Sequence, residues 1–320
     1  KKLKEISAAG NPRFYVQGFV ISMCHSYDDI QNAGKMVKRN FGGIPIPIIP
    51  LFETLKALEL APDIVKQVLK NKAYMKNVKT LWKDHLEIML GYSDSSKGIG
   101  VLPSRVSIAK AIRNLDLIIS NAGAIPVFFH GSGGSVDRGG GSIKEQTAWW
   151  PKSALNLYKA TIQGEMVERN FTSPEVALSG MNKVLENFNR SKTKKGIIKI
   201  DSIVEKFAEQ VKLEYRKKIE DPEFFKMIEA ATPYSYLSAL KLGSRPSKRA
   251  KAKKLDLNSI RAIPWILCWT QIRILFPTWW GVGSAWENYK TQIDKLQKSY
   301  RTSYLFSSYV RVLGFTLSKV

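Results

Sequence analysis

The residues best suited to chemistry lie in one glycine-rich stretch, FFHGSGGSVDRGGGS, from Phe128 to Ser142. Six of the eleven positions from Gly131 to Gly141 are glycine, with His130 at the entrance and Arg138 inside. Glycine lets a backbone approach a ligand closely and change conformation. We predict a mobile loop that brings Arg138 onto an anionic substrate; the plainer alternative is a flexible surface turn.

The two common glycine-rich phosphate-binding motifs do not fit this stretch. A P-loop requires a lysine and a hydroxyl residue after its second glycine, and Gly140 and Gly141 stand there instead. The dinucleotide-binding fingerprint requires a further glycine where this chain has Val136. The sequence therefore argues against a nucleotide site built from either motif.

Two acidic residues are candidates for a metal site. Glu53 ends the run IPLFE, and Asp94 lies in LGYSDSSKGIG, which also carries Lys97 as a candidate anion contact. Mg2+ and Mn2+ take oxygen ligands and are often held by one or two carboxylates together with substrate. Each acid taken alone is more often a helix cap or a surface residue. Together, each after an apolar run, they predict a site for Mg2+ or Mn2+.

These candidates must be positioned by the apolar runs that precede them. Short apolar runs bounded by turn-forming residues are typical of buried parallel strands. Five such runs end at or carry polar residues: FVISMC at His25, IPIPIIPLF at Glu53, LEIMLGYS at Asp94, IPVFF at His130, and KATIQGEM with Gln163 and Glu165. Polar residues at the carboxyl ends of successive strands are the arrangement of a (β/α)8-barrel active site.

Helical patterns alternate with these runs, at residues 28–38, 54–69, 107–120 and 174–187. Alternating strands and helices predict an α/β fold, and we expect an incomplete (β/α)8 (TIM) barrel with added long helices and a helix-rich C-terminal part. We expect a single domain over residues 1–320. Within it, residues 202–232 are predicted to form a helical excursion broken at Pro222, and residues 243–258 a basic loop.

The charge balance points to anionic partners. The formal net charge is +23, which attracts phosphorylated metabolites, acidic proteins, nucleic acid or anionic membrane without choosing among them. The run RPSKRAKAKK, from Arg245 to Lys254, has six basic residues in ten and could contact phosphates. It lacks the interleaved aromatic side chains on which bases stack. Nucleic-acid binding is therefore disfavoured against an exposed basic loop.

Cysteine usage and hydropathy favour a cytoplasmic protein. The two cysteines, Cys24 and Cys268, give neither a disulfide framework nor a zinc-ligand spacing. The apolar run AIPWILCWTQIRILFPTWWGVG contains Gln271, Arg273 and two prolines, which predicts buried core and no membrane association. The chain begins without methionine and without a signal pattern, so we expect an excised or processed chain.

Six motifs carry a resemblance to a known family. The pieces IPLFET, LGYSDSSKG, FFHGSGGSVDRGGG, ATIQGEM, LGSRPSKR and IRAIPWILCWTQIR occur in this order. They are similar, in the same order, to PLFET, GYSDSxKDAG, FHGRGGxxGRGG, VTxQGE, GSRPxKR and RAIPWIFxWTQxR of phosphoenolpyruvate carboxylase. The resemblance runs from about Phe14 to Lys319. Because family chains are much longer, this chain resembles their central catalytic portion.

The resemblance implies an activity and a set of catalytic and metal-binding residues. Family members carboxylate phosphoenolpyruvate with bicarbonate, giving oxaloacetate and phosphate, and require Mg2+ or Mn2+. Glu53 and Asp94 match the metal-binding acids. His130 matches a histidine assigned to proton handling and to holding the carboxyphosphate or CO2 intermediate, and Lys97 matches a lysine near the bicarbonate.

The resemblance also implies substrate-binding residues and partners. Arg138 matches the arginine of the mobile glycine loop, and Arg273 matches the arginine that holds the substrate phosphate. The further substrate-binding residues expected from the same motifs are Gly139, Gly140, Arg261 and Gln271. The implied partners are phosphoenolpyruvate and bicarbonate, with further chain segments or a homo-oligomer as additions.

Four departures from the family motifs keep alternatives open. Ser132 replaces an arginine expected to contact substrate, and Gly98 stands where the family usually has aspartate. Asp137 replaces the glycine before Arg138, and Tyr234 replaces a usual glutamate. A lost charged hydrogen bond to phosphate costs roughly 1.5–3 kcal/mol. The alternatives to the carboxylase are a catalytically impaired homologue with a binding or regulatory role, and a polyanion-binding protein.

Overall fold

A computed structural model describes residues 2–8, 10–132, 143–162, 164–192, 200–237, 239, 255–257 and 259–319. The chain divides into two compact units. The first comprises Lys1–Gly91, Lys110–Gly131 and Pro151–Lys159, and the second comprises Tyr92–Ala109, Ser132–Trp150 and Ala160–Val320. The single-domain organisation expected from the sequence stays a prediction.

The described part of the chain contains strands, α-helices and two short 3-10 turns. The strands are β1 (Phe19–Ile21), β2 (Ile48–Phe52), β3 (His85–Gly91), β4 (Ile125–Gly131) and β5 (Lys159–Ala160). The helices up to residue 192 are α1 (Lys2–Ile6), α2 (Tyr27–Phe41), α3 (Leu55–Lys70), α4 (Lys72–Thr80), α5 (Ser93–Ile99), α6 (Val101–Asn121), α7 (Ile143–Thr147), α8 (Lys152–Asn156), α9 (Gly164–Phe171) and α10 (Pro174–Lys192). The helices after residue 200 are α11 (Ser202–Ile219), α12 (Pro222–Ala231), α13 (Tyr234–Leu237), α14 (Ala262–Gln271), α15 (Phe276–Trp279), α16 (Val282–Tyr289), α17 (Ile293–Thr302) and α18 (Tyr304–Leu317). The 3-10 turns are Pro12–Phe14 and Lys290–Gln292.

The sheet follows chain order, β1-β2-β3-β4-β5, and the pairs from β1 to β4 are parallel. Parallel neighbours need crossover connections, and α2 links β1 to β2 while α3 and α4 link β2 to β3. The α/β class and the five strands predicted from the apolar runs are thus confirmed. Closure of the sheet into a barrel stays a prediction.

Local signals set the helix boundaries around the sheet. Ser26 and Asp29 form a reciprocal capping box at the start of α2, and Gly42 ends that helix in a left-handed conformation with φ 76°. Thr54 caps α3 by accepting the N–H of Ala57 at 3.2 Å. Glu53 therefore lies between the end of β2 and the cap of α3, and these two elements fix the position of its backbone.

The second unit is helical and packs around an aromatic cluster. Trp265 and Trp269 on α14 are buried to 0% and 1% exposure, and their rings meet edge to face at 5.3 Å. Phe276 stacks on Trp269 at 4.8 Å and contacts Phe224 at 4.9 Å. Aromatic pairs at such distances stabilise the fold beyond the effect of burying their apolar surface. The expectation that this apolar run is buried core is confirmed.

The helical stretches predicted after residue 200 are also present. Helices α11 and α12 span residues 202–219 and 222–231, and Pro222 begins α12 because proline suits the first turn of a helix. The end of the chain is helical through α16, α17 and α18. The basic run from Arg245 to Lys254 lies outside the described residues.

Candidate active site

Glu53 is held by the loop that follows β1. It comes directly after β2, and its carboxylate Oε1 accepts the backbone N–H of Met23 at 2.8 Å. Met23 adopts a left-handed conformation with φ 54°, which is uncommon for a residue other than glycine. The loop backbone is therefore bent in a way that directs an N–H group at the Glu53 carboxylate.

Two glycines end neighbouring strands at this edge of the sheet, and one of them lies beside Glu53. Gly91 ends β3 and pairs in register with Gly131, which ends β4. A Cβ atom on Gly91 would lie 2.3 Å from the Cβ and 2.6 Å from the Cα of Glu53, and a Cβ on Gly131 would lie 2.8 Å from the carbonyl oxygen of Leu90. Side chains are therefore excluded at both positions, and the strands can approach closely there.

His130 lies within β4, one residue before its end, and is fully buried. It pairs in register with Leu90, which in turn pairs with Phe52, and all three are 0% exposed. Successive side chains of a strand point to opposite faces of the sheet, so the His130 side chain points away from the face that a side chain at position 131 would occupy. Burial lowers the pKa of His130 to about 3. The imidazole is therefore neutral at physiological pH.

Asp94 and Lys97 lie in the second unit, one turn apart on α5. Lys97 Nζ is 3.1 Å from Asp94 Oδ1, and the two side chains are 7% and 24% exposed. The same ammonium donates to the carbonyl oxygens of Leu257 at 3.2 Å and Ile260 at 3.0 Å. Lys97 thereby joins the motif GYSDSSK to Leu257, at the end of the predicted basic loop, and to Ile260, just after it.

Arg273 stands at the end of α14 in a conformation usually reserved for glycine. Its φ is 60°, its N–H bonds to the carbonyl of Thr270 at 3.2 Å, and the N–H of Ile274 bonds to the carbonyl of Trp269 at 3.2 Å. These two bonds are the Schellman pattern, with Arg273 at the left-handed position. The arginine is exposed, so the turn presents its guanidinium to solvent.

The other substrate-binding candidates differ in exposure. Gln271, the last residue of α14, is exposed, whereas Arg261 stands at the N-cap position without a side-chain capping bond and is half-buried. The Nε atom of Arg261 is buried and has no hydrogen-bond partner in the described part of the chain. Arg138, Gly139 and Gly140 lie outside the described residues.

Ser132, where the family motif has arginine, is 1% exposed. Its hydroxyl donates to Gln146 Oε1 at 3.2 Å, and Gln146 is 5% exposed. Next to Gln146, Glu145 accepts two bonds of 2.9 Å from Arg311 on α18. The position thus carries a buried neutral hydrogen bond in place of a positive charge.

The structure brings two of the predicted residues together and assigns two others to different units. Asp94 and Lys97 form an ion pair, but Glu53 belongs to the first unit and Asp94 to the second. A metal ion shared by the two acids therefore stays a prediction. No group of three or more His, Cys, Asp and Glu side chains suited to a metal occurs in residues 2–319 as far as they are described. Two carboxylates nevertheless suit Mg2+ or Mn2+, which commonly take their remaining ligands from substrate and water.

Sequence reasoning missed the residues that hold Glu53 and Lys97. Gly91 carried a signal, because glycine inside a strand often marks a close approach. Met23 carried none, since nothing in its side chain indicates a left-handed backbone. The carbonyl partners of Lys97 are more than 150 residues away in sequence, with separations of 160 and 163.

Comparison with known proteins establishes the family. The family described as phosphoenolpyruvate carboxylase matches residues 3–320. Phosphoenolpyruvate carboxylases of Prochlorococcus marinus subsp. pastoris and of a Synechococcus species are each 33% identical over 94% of this chain and 32% of their own length. The chain belongs to the phosphoenolpyruvate carboxylase family, and it spans about a third of the length of the curated relatives it matches. Among the described helices, none combines the length and apolar character needed to span a membrane.

Proposed function

We propose that this chain takes part in the carboxylation of phosphoenolpyruvate with bicarbonate to oxaloacetate and phosphate. The observation that carries the proposal is the family match over residues 3–320, which includes the motifs containing Glu53, Asp94, Lys97 and Arg273. The parallel sheet supports an incomplete (β/α)8 barrel, in which polar residues at strand ends form the active site. Because the relatives are three times longer, further segments or a second copy would contribute the remaining substrate contacts.

The proposed reaction has two stages. A bicarbonate oxygen attacks the phosphorus of phosphoenolpyruvate, the bond between phosphorus and the enol oxygen breaks, and carboxyphosphate and pyruvate enolate result. Carboxyphosphate then breaks into CO2 and phosphate, which keeps the bicarbonate proton, and the enolate carbon bonds to CO2. Glu53 and Asp94 would each supply a carboxylate oxygen to Mg2+ or Mn2+. A bound divalent cation neutralises charge that develops on the enolate oxygen.

The chain's own side chains would bind and orient the substrates. Arg273 is exposed at a helix end, and its planar donors suit two phosphate oxygens at once. Arg138, with Gly139 and Gly140, would close over the anion, and Gln271 and Arg261 would supply further hydrogen-bond donors to the substrate. Lys97 would contact bicarbonate by exchanging one of its three present acceptors. His130 would act as a neutral imidazole, because burial keeps its pKa near 3.

A direct assay tests the proposal. The purified chain, alone and within its full-length gene product, is given phosphoenolpyruvate, Mg2+ and 14C-labelled bicarbonate with malate dehydrogenase and NADH, and acid-stable 14C in the malate formed from oxaloacetate is measured. Incorporation that disappears in Glu53→Gln and Arg273→Ala supports the carboxylase. Absence of both incorporation and phosphate release in the full-length protein contradicts it.

A second candidate, an impaired homologue, is favoured by one observation. Ser132 is buried and bonded to Gln146, so the positive charge expected at this position is absent. Ser132→Arg is compared with Ser132→Gln, which adds bulk without charge. If activity appears in the arginine variant alone, the missing charge caused the impairment; if the wild-type full-length protein is already active, the impaired-homologue hypothesis is wrong.

A further inference from the structure

The position of Glu53 is restricted at its backbone by the neighbouring strand. Strands β2 and β3 pair in register at Leu51 with Met89 and at Phe52 with Leu90, so Glu53 continues the pairing opposite Gly91. A Cβ on Gly91 would lie 2.3 Å from Glu53 Cβ and 2.6 Å from Glu53 Cα. Non-bonded carbon atoms in proteins pack at about 3.5–4.0 Å. Glu53 therefore cannot keep this position if position 91 carries any residue other than glycine.

The obstruction comes from Glu53 and from little else. The third-nearest atom to the added Cβ is Leu51 Cδ1 at 3.5 Å, which is an ordinary contact. The φ of Gly91 is not in the left-handed region, so alanine would meet no backbone strain there. Gly91 is therefore required by the closeness of Glu53, and the glycine keeps space for that residue.

The carboxylate end of the same side chain is fixed separately. The N–H of Met23 donates to Glu53 Oε1 at 2.8 Å. Met23 reaches this geometry through a left-handed φ of 54°, which a residue other than glycine rarely adopts unless the surrounding structure demands it. A backbone donor has no rotamers of its own, so the side-chain entropy lost in this bond is that of Glu53 alone.

We propose that Gly91 and Met23 are positioning residues for Glu53, the first through its backbone and the second through its carboxylate. The proposal rests on the metal-binding role of Glu53 proposed above. The backbone position and the bond to Oε1 together restrict the orientations open to the side chain, so less ordering is needed when a divalent cation binds. Neither residue is expected to touch the cation or the substrate.

The test compares Gly91→Ala with Gly43→Ala. Gly43 lies in the same unit, has no atom within 4 Å of an added Cβ and has no left-handed φ, so it controls for the loss of a glycine. Two signals are measured in the full chain: hydrogen exchange of the Met23 amide by NMR, and Mn2+ binding by electron paramagnetic resonance. In Gly91→Ala we expect Met23 exchange to accelerate about tenfold and Mn2+ affinity to fall about tenfold, the scale of one hydrogen bond to a charged group. Gly43→Ala should change neither signal.

The outcomes separate the positioning of Glu53 from its function. If the Met23 amide responds in Gly91→Ala but the wild-type chain binds no Mn2+, the metal role of Glu53 is wrong and the positioning stands. If the Met23 amide is the same in Gly91→Ala and Gly43→Ala, the positioning is wrong. Should Gly91→Ala fail to fold, Glu53→Ala is compared with wild type instead, because it removes the acceptor of the Met23 N–H and keeps the backbone of residue 53 beside Gly91. Faster exchange of the Met23 amide in Glu53→Ala supports the proposal, and unchanged exchange overturns it.

Discussion

Lys97 Nζ lies 3.1 Å from Asp94 Oδ1 and donates in addition to two backbone carbonyls, those of Leu257 and Ile260. An ammonium group has three N–H donors, and these three acceptors account for them. The lysine is 7% exposed on its side chain, so water competes little for these bonds. The motif that carries the proposed metal ligand is therefore tied to a segment near residue 260.

Replacing Lys97 should destabilise the second unit more than replacing its partner acid. Lys97→Met keeps the length but leaves a carboxylate and two carbonyls without their donor, so we expect a loss of about 3 kcal/mol in the free energy of unfolding. Asp94→Asn keeps an oxygen acceptor and should cost about 1 kcal/mol. Urea unfolding measures both. Equal and small losses would show that the ion pair is solvated.

Arg273 is expected to lower the free energy of unfolding, because its backbone is in the left-handed conformation. A residue other than glycine in the left-handed region costs roughly 1–2 kcal/mol. Arg273→Gly should therefore raise the free energy of unfolding by about 1 kcal/mol, while Arg273→Ala, which keeps the strain, should not. Both variants lose the guanidinium and should bind phosphoenolpyruvate about tenfold or more weakly. Calorimetry measures binding, and equal stability of the two variants would contradict the strain.

His130 should make stability fall at acidic pH. Its folded pKa is lowered to about 3 from an ordinary 6.5 because the buried imidazole resists protonation. Between these values the unfolded chain binds a proton at His130 that the folded chain does not. The contribution of the neutral His130 to the free energy of unfolding is therefore fully present above pH 6.5 and decreases as pH falls towards 3. One proton contributes at most about 1.4 kcal/mol per pH unit.

The pH effect is checked by urea unfolding at several values between pH 7 and 5. His130→Gln should show a shallower decline than wild type. Leu90 pairs in register with His130 and does not titrate. Leu90→Val should therefore lower the free energy of unfolding by the same amount at every pH. A His130→Gln curve parallel to wild type would mean that His130 takes up its proton in the folded state.

Gly98 and Gly100 should respond oppositely to alanine. Gly98 lies within α5 with no atom within 4 Å of an added Cβ, so Gly98→Ala should stabilise by about 0.5–1 kcal/mol through helix propensity. Gly100 has φ 85°, so Gly100→Ala should destabilise by about 1 kcal/mol or more. Thermal unfolding compares the two. A change of the same sign at both positions would contradict these backbone conformations.

Local patterns in the sequence were enough to predict the α/β class and the order of the elements. Short apolar runs and turn residues act locally, and they were sufficient to predict the five strands from Phe19 to Ala160 and the helices after residue 200. The motifs were likewise sufficient to predict the family, since six of them occur in one order.

The way in which the candidate residues are held depends on contacts between segments that are distant in sequence. The face occupied by His130 depends on strand register, in which a shift of one residue exchanges buried and exposed positions. The bond from Met23 to Glu53 depends on a backbone torsion that the side chain does not encode. The carbonyl partners of Lys97 come from residues 160 and 163 positions away. Such contacts form only when distant segments pack together, because no local pattern along the chain specifies which backbone group will meet which side chain.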